Sequence, residues 1–269
     1  MESKVIVIDW GIFLHRSIFA SKKNTAVPPT FTAMSMILGN LKKIGVNKED
    51  IVIVAVDFLK SWRKEIIEEY KANRKQIRED SGIDFPYWYK KFNELLEEID
   101  IGTNWHIIQI PHLEADDIMA VASRYYKDKE VVLLTYDKDL EQCWQYENVK
   151  IFSPLTKKWK LRPPQFNAYK LIASKTNYEA SDNLVSPVLN EEEYDKRKMC
   201  VDLLKLPDWV ESSVIKKLDK IQSKGEYSDQ ISFNTIRNRY VSLTTDKSKI
   251  IDYNKQLEKS QKKKMKKKK

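Results

Sequence analysis

The chain has 269 residues, 42% apolar and 32% charged, which suits one large folded domain with a small appendage and excludes a chain disordered throughout. Its net charge of +9 is uneven: seven of the forty-eight basic residues lie in Lys262 to Lys269, leaving 41 basic against 39 acidic side chains, so affinity for a polyanion must come from local patches. No apolar run reaches the roughly 18 to 20 residues of a membrane span, and the two cysteines, Cys143 and Cys200, lack the spacing of a thiolate zinc site or a disulfide framework.

Met1 to Lys4 leads into a buried-strand pattern, KVIVI (4 to 8), without a signal-peptide signature, so a cytoplasmic location is expected. The segment 29 to 44 follows, with Phe31, Met34, Ile37, Leu38, Leu41 and Ile44 at helical spacing. IVIVAV (51 to 56), WHIIQI (105 to 110) and VVLLT (131 to 135) predict three more strands, with helical patterns between each pair. Near-continuously apolar strands separated by helices predict a mostly parallel sheet covered on both faces, the α/β class. NVKIF (148 to 152) and KKWKL (157 to 161) predict a hairpin around Ser153 and Pro154. Beyond Pro163 and Pro164 the patterns over 165 to 174, 191 to 204 and 208 to 221 are helical, a smaller region ending in a Lys-rich tail.

Each of the four apolar runs leads into acidic residues: Asp9, Asp57, the cluster Glu114, Asp116 and Asp117, and Asp137 with Asp139. In a parallel sheet the ligand site lies beyond the carboxyl ends of the strands, so these carboxylates share one edge. Any one of them could be a turn or cap residue, since Asp is favoured at both. Four together repel, and divalent cations are the usual means of holding them.

Residues 60 to 79 contain no Gly or Pro and sort cleanly on a helix. At about 100° per residue, Lys60, Arg63, Lys64, Lys71, Arg74, Lys75 and Arg78 fall within about a 120° arc, with Trp62, Ile66, Tyr70 and Ile77 on an adjacent arc of about 80°. A cationic stripe directly after Asp57 suits a phosphodiester substrate, with Tyr70 available to stack on a base; a merely solvated charged face is the alternative for such a stretch taken alone. His15, His106 and His112 have no spacing partner that would make them general bases or zinc ligands.

These residues, in order, resemble the motifs of the 5′-nuclease superfamily, which includes flap endonucleases, the 5′-nuclease domain of bacterial DNA polymerase I and phage 5′-exonucleases. IDWGIFLHR (8 to 16) resembles the opening strand with its aspartate and later arginine, Arg16. VDFLKSWRKEIIEEYKANR (56 to 74) resembles the second aspartate and the arch helix, and LEADD (113 to 117) and TYDKDLEQ (135 to 142) resemble the third and fourth acidic motifs. The chain is most similar to the T-even phage ribonuclease H type of 5′-3′ exonuclease, through NVKIFSPLTKKWKL (148 to 161) and LNEEEYDKRK (189 to 198).

The resemblance implies a PIN-like 5′-nuclease domain over 1 to 164 with a helical arch at about 60 to 86, a reduced helical duplex-binding region over 165 to 254, and a tail over 255 to 269. It implies two Mg²⁺ sites, with Mn²⁺ as a substitute. Asp9, Asp57, Asp117 and Asp137, with Glu114 and Asp116 nearby, would serve the first; Asp139, Asp182 and Glu179 would serve the second. Lys71 and Arg74 would contact the phosphate at the scissile bond. Arg16, Lys60, Arg63, Tyr70, Lys75 and Arg78 would bind nucleic acid with them. The implied activity is 5′-3′ exonucleolytic hydrolysis of DNA and RNA/DNA hybrid at 5′ ends, flaps and nicks, in primer removal. A monomer is expected, working in the host cytoplasm if phage-encoded, beside a single-stranded DNA-binding protein or a sliding clamp. A noncatalytic, structure-specific DNA-binding protein retaining the nuclease fold is the alternative reading.

Two departures stand out. The family's fifth motif, GDxSDN, is replaced by YEASDN (178 to 183), so Glu179 stands for the first aspartate. After Gly102 the only glycine is Gly225, so the glycine-rich hairpin loop that grips duplex backbone is absent. The Lys-rich tail or a partner protein is expected to compensate.

Overall fold

The computed structural model describes residues 3–21, 27–47 and 49–223. Gly225, the Lys-rich tail and the last part of the expected helical region lie outside the described residues.

Six strands form one sheet in the order β3-β2-β1-β4-β5-β6. They are β1 (Val5–Asp9), β2 (Ile51–Val56), β3 (His106–Gln109), β4 (Val131–Leu134), β5 (Val149–Ser153) and β6 (Lys158–Lys160). The first five run parallel, with Val5 opposite both Ile51 and Val131, and β6 returns antiparallel to β5 as the expected hairpin. The chain builds outward from β1 through β2 to β3, then crosses back to place β4 on the other side of β1. Strand order therefore reverses between β1 and β4, and at such a point the neighbouring connections diverge and leave a crevice.

Successive strand residues face opposite sides. Val5, Val7, Ile53 and Leu133 enter one core with α6 (Ala115–Tyr125) and α9 (Asp208–Ser223), whereas Ile6, Ile8, Val54 and Leu134 enter a second with α1 (Trp10–Ser21), α2 (Pro29–Ile44) and α5 (Phe85–Gly102). Both faces are covered, which explains the uninterrupted apolar runs. Val210, Val214 and Leu218 of α9 are fully buried against α6, so α9, with Leu203 and Leu206 before it, shares the first core. Two further helices there, α7 (Ala168–Asn177) and α8 (Glu191–Val201), flank the fifth acidic motif.

The helix expected over 60 to 79 is not continuous. It divides into α3 (Arg63–Ile66) and α4 (Asn73–Asp80), with Ile67 extended at φ −131° and Lys71 in the left-handed region at φ 56°. The turn between them lets the Lys71 amide donate to the Asp182 carbonyl at 3.0 Å and points Arg63 and Tyr70 into the protein. An unbroken amphipathic helix would have left Arg63 on its outer, cationic face. Satisfying two buried carboxylates, Glu114 and Asp117, outweighs the helical bonds lost at the break.

Candidate active site

Asp9 ends β1, and its carboxylate accepts the Thr135 hydroxyl at 2.9 Å and the Ile12 amide at 3.4 Å. Thr135 ends the β4 run and accepts the Asp137 amide at 3.0 Å, so one hydroxyl ties the first and fourth motifs together across the strand-order reversal. Asp57 follows β2 and accepts the Ala115 amide at 2.8 Å, at the positive end of α6. Gly11, in the first turn of α1, fits between them: a Cβ there would lie 3.0 Å from Asp57 Oδ2 and 3.5 Å from Asp9 Oδ1.

These carboxylates repel one another. Burial, then the charges of Asp57 and Asp137, push Asp9 up to about 7, with the Thr135 hydroxyl only partly offsetting them. Burial and the neighbouring Asp137 and Asp9 hold Asp116 well above the usual range, and Asp57, although exposed at the sheet edge, is raised by the desolvation its neighbours impose and by Glu114. Crowded carboxylates with oxygen donors and little cationic relief match the chemistry of Mg²⁺ or another hard divalent cation. As the side chains stand, no three acidic, His or Cys groups among the described residues close tightly enough to enclose an ion.

The other acidic residues have cations of their own. Glu114 accepts both oxygens' bonds from Lys71 Nζ at 2.9 Å and one from Arg63 at 3.2 Å. Burial alone would raise Glu114, but Lys71 and Arg63 bring it down to about 2. Asp182 meets Arg74 at 3.3 Å and Lys71 at 3.8 Å. Asp139 and Glu179 share the ammonium of Lys175, a side chain that no motif singled out. Burial and Asp137 still lift Asp139 to about 6.

Three expectations are corrected. Asp117, expected as a metal ligand, is fully buried, with its oxygens taken by Arg63 at 2.7 and 3.1 Å, Trp62 Nε1 at 3.1 Å and the Glu114 amide at 2.9 Å; it anchors the N-terminus of α6. Arg63, expected to grip phosphate, is 1% exposed and serves that anchor, also donating to the Cys200 carbonyl at 2.7 Å. Tyr70, expected to stack on a base, is 2% exposed, and its hydroxyl lies 3.2 Å from Glu114 and 3.3 Å from Asp182. Its ring packs against the Lys71 ammonium instead.

Of the remaining expected cations, Arg74 is half exposed beside Asp182 and Arg78 lies near His15 and Tyr89. Lys60 and Lys75 reach Glu65 at 3.8 Å and Glu79 at 3.9 Å within their own segment, and Arg16 is exposed on α1. Sequence reasoning passed over Thr135, Gly11 and Lys175. Only Lys175 left a trace, its four-residue spacing from Glu179, which on a helix end brings opposite charges together.

A mostly parallel sheet with a reversal of strand order and a carboxylate group at that reversal defines the class: an α/β protein whose site lies at the carboxyl edge of the sheet. Residues 4–184 match the family model for the 5′-3′ exonuclease N-terminal resolvase-like domain, and the chain belongs to that family. It is 28% identical over 130 residues to ribonuclease H of Enterobacteria phage T4, covering 47% of this chain and 43% of that one. It is 27% identical over 200 residues to a 5′-3′ exonuclease of Buchnera aphidicola, covering 68% of this chain and 65% of that one. A thermostable DNA polymerase I of Thermus thermophilus is 30% identical over 200 residues, covering 68% of this chain and 22% of that one. The fold is also that of the bacteriophage T5 flap endonuclease solved as a pseudo-enzyme-product complex with DNA and metal ions: TM-score 0.63 at 17% identity, covering 82% of this chain and 99% of that one.

Proposed function

We propose that this protein is a divalent-metal-dependent 5′-3′ exonuclease with associated flap cleavage, hydrolysing phosphodiesters at the 5′ ends of DNA and RNA/DNA duplexes during primer removal. The observation that carries this reading is the group Asp9, Asp57, Asp116 and Asp137 at the strand-order reversal, in which desolvation and neighbouring like charges raise Asp9, Asp57 and Asp116. A noncatalytic DNA-binding protein would have no use for that electrostatic cost.

In this reading Asp9, Asp57, Asp116 and Asp137 hold a first Mg²⁺, and Asp139, Glu179 and Asp182 hold a second. Bound ions supply Lewis acidity toward the phosphate oxygens and an activated water. The chain's own residues do the rest. Arg74 and Lys71, held now by Asp182 and Glu114, are positioned to transfer their hydrogen bonds to a substrate phosphate. Glu114 keeps Lys71 protonated and placed, and the positive φ of Lys71 marks backbone strain at that point. Arg63 and Asp117 hold the start of α6, and with it Asp116, in register.

The test is digestion of 5′-labelled flap, nicked and RNA-primed substrates in Mg²⁺ by the wild type and by Asp116→Asn. Mg²⁺-dependent release of short 5′ products, lost in the variant, is expected. Undiminished cleavage by Asp116→Asn would overturn the assignment. Release from one substrate alone decides the natural role.

A further inference from the structure

Lys175 stands in the last turn of α7, with its side chain 13% exposed. Its ammonium pairs with Asp139 and, at 2.5 Å, with Glu179. Asp139 Oδ1 has no other polar partner among the described residues. Glu179 turns its other oxygen back to the amide and hydroxyl of Ser181, at 3.1 and 2.6 Å, so one side of the carboxylate is fixed and the other is given to the lysine. Asp139 is fixed in turn, its amide donating to Asp137 Oδ1 at 2.8 Å. Asp182 is engaged separately by Arg74 and Lys71.

The two carboxylate groups therefore differ in kind. The first, around Asp9 and Asp137, meets its neighbours mainly through a hydroxyl and backbone amides. The second has a cation enclosed between two of its acids. An ammonium is a compact charge on a flexible four-carbon stem, able to occupy a cation's place and to swing out of it.

We infer that Lys175 is the resident cation of the second acidic group: it lies between Asp139 and Glu179 in the resting protein and must withdraw before a divalent ion enters there. The inference rests on the metal-dependent reading above. The second ion then binds more weakly than the first, and its entry is coupled to an outward swing of Lys175.

The test is a Mn²⁺ titration of the full chain, followed by calorimetry and by loss of the free-ion paramagnetic resonance signal, in the wild type and in Lys175→Met. The methionine retains the apolar stem and removes the charge. In the wild type a second ion is expected to bind at least about tenfold more weakly than the first, and Lys175→Met is expected to tighten it about tenfold, the effect of removing one competing ion pair. Because the variant leaves two acids facing each other, a second measurement uses the wild type alone. Reductive methylation mapped by peptide mass spectrometry is expected to show Lys175 protected without added ions and several-fold more reactive once the second ion is bound. A second-ion affinity unchanged in a folded Lys175→Met, or labelling of Lys175 that does not respond to Mn²⁺, overturns the inference and leaves the metal-dependent reading intact. Absence of any Mn²⁺ binding to the wild type overturns both.

Discussion

The acidic edge of this protein contains two populations of carboxylate that sequence does not separate. Asp9, Asp57, Asp116 and Asp137 gather at the strand-order reversal, and their charges work against folding. Glu114 and Asp117, a few residues away in the chain, are matched by Arg63 and Lys71 and help to hold α6. The difference teaches where binding capacity resides. A carboxylate already satisfied by a buried guanidinium gains little from a metal ion, whereas one held among its own kind gains a great deal.

The largest expected effect breaks the first population. Asp137→Asn should lower Mg²⁺-dependent cleavage by about a thousandfold while leaving stability in EDTA unchanged or raised by about 1 kcal/mol, because it relieves repulsion. Chemical denaturation in EDTA alongside a cleavage assay checks both halves, and a clear loss of stability would merge the two populations. Breaking the second population should do the reverse. Arg63→Met leaves Glu114 and Asp117 buried without their guanidinium, and should cost about 3 to 5 kcal/mol in the same denaturation experiment.

The two populations should also separate by pH. Asp9, held up to about 7, binds its proton more tightly in the folded than in the unfolded state, so its contribution to stability falls as pH rises from the ordinary carboxylate range toward 7. Glu114, held down to about 2, contributes stability above its ordinary value of 4.5 and loses it as pH falls toward 2. Denaturation in EDTA from pH 3 to 8, compared among wild type, Asp9→Asn and Glu114→Gln, should flatten the decline on the neutral side for the first variant and the decline on the acid side for the second. Curves of unchanged shape would remove the electrostatic distinction. The smallest effect sharpens it: Gly11→Ala places a Cβ 3.0 Å from Asp57 Oδ2 and should weaken Mn²⁺ binding by about five- to tenfold, roughly 1 kcal/mol, with a cost in EDTA stability well below that of Arg63→Met. Calorimetric titration of the variant measures it.

Much of this was legible in the amino-acid sequence. The strands Val5–Asp9, Ile51–Val56 and Val131–Leu134 are so uniformly β-branched and aliphatic that only a sheet buried on both faces accommodates them, and that sheet carries Asp9, Asp57 and Asp137 to one edge. The segment 60 to 79 was misread for an equally physical reason. Helical periodicity describes a chain alone in solvent, and it assigns Arg63 and Lys71 to one cationic stripe without knowing that Glu114 and Asp117, some fifty residues later, lie beneath them. Lys175 escaped notice because a single lysine near a helix end is commonplace, and only packing of α7 against the Asp139 turn makes it an ion-pair partner.

The sequence by itself determined the class of fold, the edge of the sheet at which acidic residues collect, and a family resemblance from Asp9 to Asp182, because strand composition and the order of motifs are properties of a linear chain. Tertiary structure alone decided which carboxylates are free and which are spent. That depends on the distance and burial of partners tens to more than a hundred residues away, from Arg63 beside Asp117 to Lys71 beside Asp182, and electrostatic energy depends on separation and dielectric in space, which linear spacing does not encode.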